Sequence, residues 1–310
     1  MTNLFLLQRH LGDTVMTTGI IDACKEEPAV IIATKTIAQL LADAPNVERL
    51  LIVNRQSWKK HWHDIWRETH HRSWNHFISF KQSPLPFLLK AQQASLWLAP
   101  PINTIHRVNQ LSHWFGSTKP LAPTLWIKEE RLARMKPTRP TLAVAPIPGW
   151  PGKQWPMERF TALLTLFCKT YPEAQVAVFA APNEKEQVLP LLKTLPKDQC
   201  LDMIGTHLLD CAAFIQGSNL LICNDSGLMH VGAAVNTPLI ALFGPTDERV
   251  FGPWSSESPS PHRVVRVKPY EGPTTGYIKQ RFWDKTCYML DLPLAPVWDV
   301  LQERWEALGR

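Results

Sequence analysis

Along this chain, short apolar runs alternate with stretches in which apolar residues recur every three to four positions. In the first half, 4–8, 29–33, 47–53, 76–80 and 95–98 read as strands, and 14–24, 36–42, part of 57–72 and 104–115 as helices. That βαβα order predicts a doubly wound, mostly parallel sheet. Residues 135–140, Met-Lys-Pro-Thr-Arg-Pro, interrupt the pattern and predict an interdomain linker. The alternation then restarts, with strands at 141–145, 176–180, 201–204, 219–224 and 238–243, and helices at 157–170, 183–195, 207–217 and 226–235. Residues 252–280, rich in Pro, Gly and Ser, read as loop with one strand at 263–267. A last helix, 295–308, carries Val297, Val300, Leu301 and Trp305 and is free to pack back on the first half.

The pattern therefore predicts an α/β protein of two Rossmann-like doubly wound domains, 1–137 and 138–310, with ligands in a cleft at the carboxyl edges of two sheets. Composition agrees: 45% hydrophobic and 19% charged residues can supply a sizeable core. No run of about 18 apolar residues exists to span a membrane, and the N-terminus reads as a first strand without a basic leader, so a cytoplasmic protein is expected. The six cysteines form no C-x-x-C pair and sit mostly in apolar runs, as reduced core residues would.

Asn224-Asp-Ser-Gly-Leu-Met-His230 is the most informative stretch. A buried strand ends in turn and N-cap formers, and a helix opens near Ser226, presenting free N–H groups at a positive dipole end. A diphosphate suits that end; an ordinary βα turn with an N-cap Ser and a half-buried His fits the spacing equally. After the first strand, Arg9-His-Leu-Gly-Asp13 offers Gly12 for close backbone approach and Asp13 as either a general base or the N-cap of a helix beginning at Thr14. Pro148-Gly-Trp-Pro-Gly-Lys-Gln-Trp-Pro156 holds Lys153 in a loop beyond a strand end. It is either a mobile ammonium over phosphates or a solvated surface lysine, and the P-loop spacing is absent.

The segment 55–81 concentrates positive charge, with Arg55, Lys59, Lys60, Arg67, Arg72 and Lys81 against Asp64 and Glu68, a local excess of +4 within a chain of net +6. Trp58, Trp62 and Trp66 share a helical face. An acceptor-binding or membrane-surface patch for anionic groups is one reading; a tryptophan face packed on the sheet with a solvated basic back is the other. Its five histidines lack acidic or cysteine partners at metal spacing, so no metal site is expected, and no nucleic-acid motif is present. Asp-x-Asp, G-x-S-x-G and G-x-G-x-x-G are all missing.

In their order, Gly12-Asp13 with Thr17-Thr18, Lys153-Gln-Trp-Pro156, Asn224–His230 with Thr237-Pro238 and Leu242-Phe-Gly-Pro-Thr246, and Cys287-Tyr-Met289 resemble glycosyltransferase family 9, the ADP-heptose:lipopolysaccharide heptosyltransferase family. Gly19 departs from the Pro common in the family, and the loop between Ala145 and Lys153 is short. The resemblance implies a GT-B fold, an acceptor held by the N-terminal domain, an ADP-heptose donor held by the C-terminal domain, and no metal or other cofactor. It implies Asp13 as the base in an inverting displacement; Gly12, Arg9, Lys59 and Lys60 are the acceptor-side candidates that the first half itself offers. Lys153 would offset charge on the departing diphosphate, and Asp225 would hold sugar hydroxyls. Ser226, Gly227 and His230 would contact phosphates, and Glu184 the nucleoside. The expected partners are a nucleotide sugar and an anionic lipopolysaccharide-core glycan, with peripheral contact at the inner membrane face. A family-9-like enzyme using another sugar or acceptor, or a relative that only binds glycan or nucleotide, shares the same motifs.

Overall fold

The computed structural model describes residues 2–53, 61–99, 104–266 and 287–308. Two units divide the chain, Met1–Ile127 and Lys128–Arg310. In the first, β1 (Asn3–Leu6), α1 (Leu11–Val15), α2 (Thr18–Ala23), β2 (Ala29–Ala33), α3 (Lys35–Leu40) and β3 (Val47–Ile52) are followed by α4 (His61–Thr69), β4 (Trp74–Ser79), a 3-10 turn at Leu85–Phe87, β5 (Ala91–Leu96) and α5 (Arg107–Trp114). Its strands are all parallel, in the order β3-β2-β1-β4-β5. β1 and β2 are buried at every position, whereas β3 and β5 leave most of theirs partly or fully exposed. Inner strands of a parallel sheet are covered on both faces, which is why Val30-Ile31-Ile32 can be continuously apolar.

The second unit contains α6 (Glu129–Met135), β6 (Thr141–Ala145), a 3-10 turn at Pro151–Lys153, α7 (Met157–Thr170), β7 (Gln175–Val178), α8 (Lys185–Thr194), β8 (Cys200–Asp202) and α9 (Leu208–Gly217). It continues with β9 (Leu220–Asn224), α10 (Gly227–Ala234), β10 (Leu239–Phe243), α11 (Glu248–Phe251), β11 (Arg263–Arg266) and α12 (Leu294–Leu308). The six parallel strands run β11-β10-β9-β6-β7-β8. The chain winds outward in one direction from β6 and in the other from β9. A topological switch point therefore lies between those two strands, as it does between β1 and β4 in the first sheet.

Three expectations change. The helix expected at 14–24 is two helices, because the hydroxyls of Thr17 and Thr18 donate to the carbonyls of Thr14 (2.7 Å) and Val15 (2.8 Å) and close a turn there. The linker expected at 135–140 follows a helix already inside the second unit, so the division falls at 127/128 instead of 137/138. That helix, α6, has no buried residue and so no apolar stripe to reveal it. It is fixed by Arg131 and Arg134, which both pair with Asp210 of α9 (2.8 Å from Arg134), and by acidic residues in its first turn. Finally, α12 does not belong to the first half: Val297, Leu301 and Trp305 sit in the second unit's core, Trp305 edge-on to Phe167 with ring centroids 4.8 Å apart.

Trp62 and Trp66 pack against the first unit's core beside Ile65, as the packed-face reading of that helix expects. Trp58, Arg55, Lys59 and Lys60 lie outside the described residues, as do residues 267–280 of the stretch read as loop at 252–280. No described helix is long and apolar enough to cross a membrane.

Candidate functional site

Asn224, the last residue of β9, organises the second unit's switch point. It is fully buried; its Oδ1 accepts from the backbone N–H of Trp155 (3.0 Å) and its Nδ2 donates to the carbonyl of Pro146 (2.6 Å). One amide thus pins both ends of the loop that follows β6. Trp155 anchors it further, fully buried, with its indole N–H donating to the carbonyl of Leu292 (2.8 Å). Between these anchors the carbonyl of Gly152 accepts from the N–H of Tyr288 (3.0 Å).

The loop so held delivers Lys153 to Asp225. The ammonium Nζ is 2.7 Å from Asp225 Oδ2, with side-chain exposures of 22% and 5%. The hydroxyl of Thr246, in the loop after β10, donates to the same carboxylate oxygen. Lys153 is thus neither a solvated surface lysine nor a loosely swinging one. A carboxylate this buried is tolerable only with a counter-charge and hydrogen bonds, and Lys153 and Thr246 supply both.

Ser226 stands at the N-cap of α10 in an extended conformation (φ −146°, ψ 174°), but its hydroxyl does not cap the helix. Its Oγ is buried and has no hydrogen-bond partner among the described residues. Gly227 opens the helix, leaving the first-turn N–H groups and their positive dipole end beside Asp225. His230 lies one turn further along and is buried. Glu184 follows β7 on the same sheet edge, where its carboxylate accepts from the N–H of Ala181 (2.8 Å) and caps the turn that leads into α8. These residues come from four loops at the carboxyl edge of one sheet, where open α/β sheets bind ligands.

In the first unit, Asp13 occupies the first turn of α1, which begins at Leu11 with His10 as N-cap. The N-cap alternative for Asp13 therefore does not hold. Gly12 precedes it within the helix, and Arg9 is exposed, its Nε donating to His10 Nε2 (3.0 Å). Arg107, at the start of α5, was not singled out by any sequence pattern. Burial pushes its pKa down while the charge of Asp13 pulls it up, so its guanidinium lies within electrostatic reach of this carboxylate in the same unit. Gly19 has its own cause: a Cβ there would lie 2.2 Å from the carbonyl oxygen of Leu121, so α2 and the segment after α5 touch backbone to backbone.

Among the described residues, no three His, Cys, Asp or Glu side chains gather as a metal site would need. Burial raises the thiol pKa of Cys24, Cys168 and Cys200 to about 11, away from the thiolate that a reactive cysteine needs.

Two parallel Rossmann-like sheets, with charged loops beyond β1, β6 and β9, define a GT-B protein. The family model of glycosyltransferase family 9 (heptosyltransferase) matches residues 111–265, half of the 310-residue chain, and the chain belongs to that family. Lipopolysaccharide heptosyltransferase 2 of Escherichia coli (strain K12) is 34% identical over 139 residues, which cover 43% of this chain and 36% of that relative. The match thus spans little more than a third of the relative's length. The glycosyl transferase family 9 structure from Veillonella parvula DSM 2008 superposes with a TM-score of 0.80 at 17% identity, covering 99% of this chain and 97% of that one. The structure of E. coli ADP-heptose lps heptosyltransferase II gives 0.76 at 18% identity, covering 100% of both.

Proposed function

We propose that this chain is a glycosyltransferase that moves a heptose from ADP-heptose to a lipopolysaccharide-core acceptor, inverting the anomeric centre without a metal. The observation that carries the reading is the Lys153–Asp225 pair at 2.7 Å beside the open N-terminus of α10. A diphosphate arriving there meets an ammonium, first-turn N–H groups and the unpartnered Ser226 hydroxyl, while Asp225 is left to accept from sugar hydroxyls. That set recognises a nucleotide sugar. His230 and Gly227 complete the phosphate contacts, and Glu184 reaches the nucleoside only by giving up its cap.

In this reading Asp13 takes the proton of the acceptor hydroxyl as its oxygen attacks the anomeric carbon. The bond from that carbon to the diphosphate oxygen breaks in the same in-line step. Charge builds on the departing ADP, and Lys153 offsets it where a divalent cation would otherwise be needed. Gly12 and Arg9 belong to the acceptor side, with Lys59 and Lys60 as further basic candidates. Contact with a membrane surface is supported by Phe87, 87% exposed, with Leu88 and Lys90 exposed beside it. A cytoplasmic enzyme at the inner face fits this set of partners.

The test is a panel of ADP-heptose and UDP- and GDP-sugars with a heptose-accepting lipopolysaccharide core, read as release of nucleoside diphosphate over many turnovers. ADP release confined to ADP-heptose is expected. Preference for another nucleotide sugar would move the chain to a different transfer, and nucleotide binding without turnover would make it a binding protein.

A further inference from the structure

Arg266, the last residue of β11, belongs to none of the sequence motifs, yet it holds the loop that carries Thr246. β11 lies at the edge of the second sheet, and its register sets Arg266 beside Phe243, the last residue of β10. From there the guanidinium spans the loop that follows β10. Its Nη2 donates to the carbonyl of Gly244 (2.7 Å), and its Nη1 to the carbonyl of Thr246 (3.4 Å) and to the carboxylate of Glu248. Pro245, between those two carbonyls, has no N–H with which the loop could close a turn on itself. The loop also meets Met289: a Cβ on Gly244 would lie 2.3 Å from its Sδ.

The loop so held delivers one hydroxyl. Thr246 donates to Oδ2 of Asp225, the oxygen that also lies 2.7 Å from the ammonium of Lys153. Neither contact uses Oδ1. A carboxylate only accepts, through both of its oxygens; with two donors on Oδ2, Oδ1 is the oxygen left for a further donor. Because both donors are anchored in loops, they also fix the orientation of this buried carboxylate. An arginine suits the task at position 266, since its planar fork reaches two carbonyls at once and a lysine ammonium is a point charge.

We infer that Arg266 is a positioning residue for the donor sugar: by fixing the loop after β10, it keeps Thr246 on one oxygen of Asp225 and leaves the other to the sugar's hydroxyls. It touches no reacting atom and acts through Thr246. The inference rests on the reading of Asp225 as the residue that holds donor-sugar hydroxyls; the link from Arg266 through Thr246 to Asp225 stands on the hydrogen bonds alone.

Two measurements on the full chain test it. The first needs no ligand: urea unfolding of wild type, Arg266→Gln, Thr246→Val and the double variant. The double variant should lose less than the sum of the single losses, and additive losses overturn the link. The second is calorimetric titration with ADP and with ADP-heptose. Arg266→Gln should weaken ADP-heptose about ten-fold while ADP affinity stays at the wild-type value, and it should cost little more once Thr246 is already Val. Arg266→Lys, which keeps the charge without the fork, should show the same selective loss in smaller measure, and it carries the comparison if Arg266→Gln does not fold. A merely structural role would weaken both ligands alike; that result, or undiminished ADP-heptose binding in Arg266→Gln, overturns the inference. Wild-type protein that does not bind ADP-heptose refutes the donor reading itself, whereas wild-type binding with an unselective loss in the variants refutes the role of Arg266 alone.

Discussion

The ammonium of Lys153 lies 2.7 Å from the carboxylate of Asp225, although 71 residues separate them in the chain and neither belongs to an element shared with the other. They meet because β6 and β9 are neighbours, paired from Leu142–Leu220 to Ala145–Cys223. Each residue follows the end of its strand. Removing one partner strands a buried charge. Lys153→Met should therefore destabilise the fold by about 3 kcal/mol, and the double variant with Asp225→Asn should recover much of that loss. Urea unfolding of the four proteins checks this; additive losses would show that the pair is uncoupled. If the proposed function holds, Lys153→Met should also lower turnover by at least about a hundred-fold.

If Asp13 is the base of the proposed transfer, Asp13→Asn should lower turnover by about 10²–10⁴-fold while ADP affinity is unchanged, because the amide keeps the shape of α1 but cannot accept the proton. Arg107→Gln should shift the acidic limb of the rate profile upward in pH, since a cation within electrostatic reach of Asp13 favours its ionised form. A wild-type rate in Asp13→Asn, or an unmoved limb in Arg107→Gln, would contradict these roles.

Asn224→Ala leaves the N–H of Trp155 and the carbonyl of Pro146 buried without their partner. A loss of about 2–4 kcal/mol in stability is expected, at roughly 1–3 kcal/mol for each orphaned group. Because the freed loop carries Lys153, nucleotide affinity should fall as well. Thermal unfolding with and without ADP separates the effects: a smaller ADP-induced rise in Tm than in wild type is the expected result.

Gly19→Ala should be among the most damaging single-methyl additions. Its Cβ would meet the Leu121 carbonyl oxygen at 2.2 Å, and that atom is backbone, so relief requires moving the segment after α5. A destabilisation of about 1–3 kcal/mol or more is expected, read as a drop in urea midpoint; an unchanged midpoint would mean the two segments separate easily.

His262 predicts a pH dependence of stability. It is buried, its Nε2 3.1 Å from the carbonyl of Trp254; burial and the charge of Arg304 hold its pKa near 4, below the ordinary 6.5. The folded-state value is depressed, so the unfolded chain takes up the proton first. Stability is full above pH 6.5 and falls as pH drops from 6.5 toward 4, by about 3 kcal/mol at most. His262→Gln should flatten this part of the profile. Urea midpoints between pH 4.5 and 7.5 that fall equally in both proteins would contradict the assignment.

The sequence by itself determined the architecture wherever burial is continuous. Helix 157–170 and strands 29–33 and 141–145 were legible to the residue because their apolar pattern reports the core they face. It also located the loops that carry Asp13, Lys153 and Asn224–His230 beyond strand ends, while leaving an ordinary structural reading open for each. What had no local signature came only with tertiary structure. Nothing in its own periodicity shows α6, which buries no side chain and is held by two arginines on Asp210. Arg107, at the start of α5, comes within electrostatic reach of Asp13, and Thr246 reaches Asp225 through the pairing of β10 with β9. Most clearly, spacing left Lys153 open between surface lysine and phosphate ligand. Only the adjacency of β6 and β9 decided that it is a lysine paired with a buried aspartate, since charge pairing depends on distance in space and not along the chain.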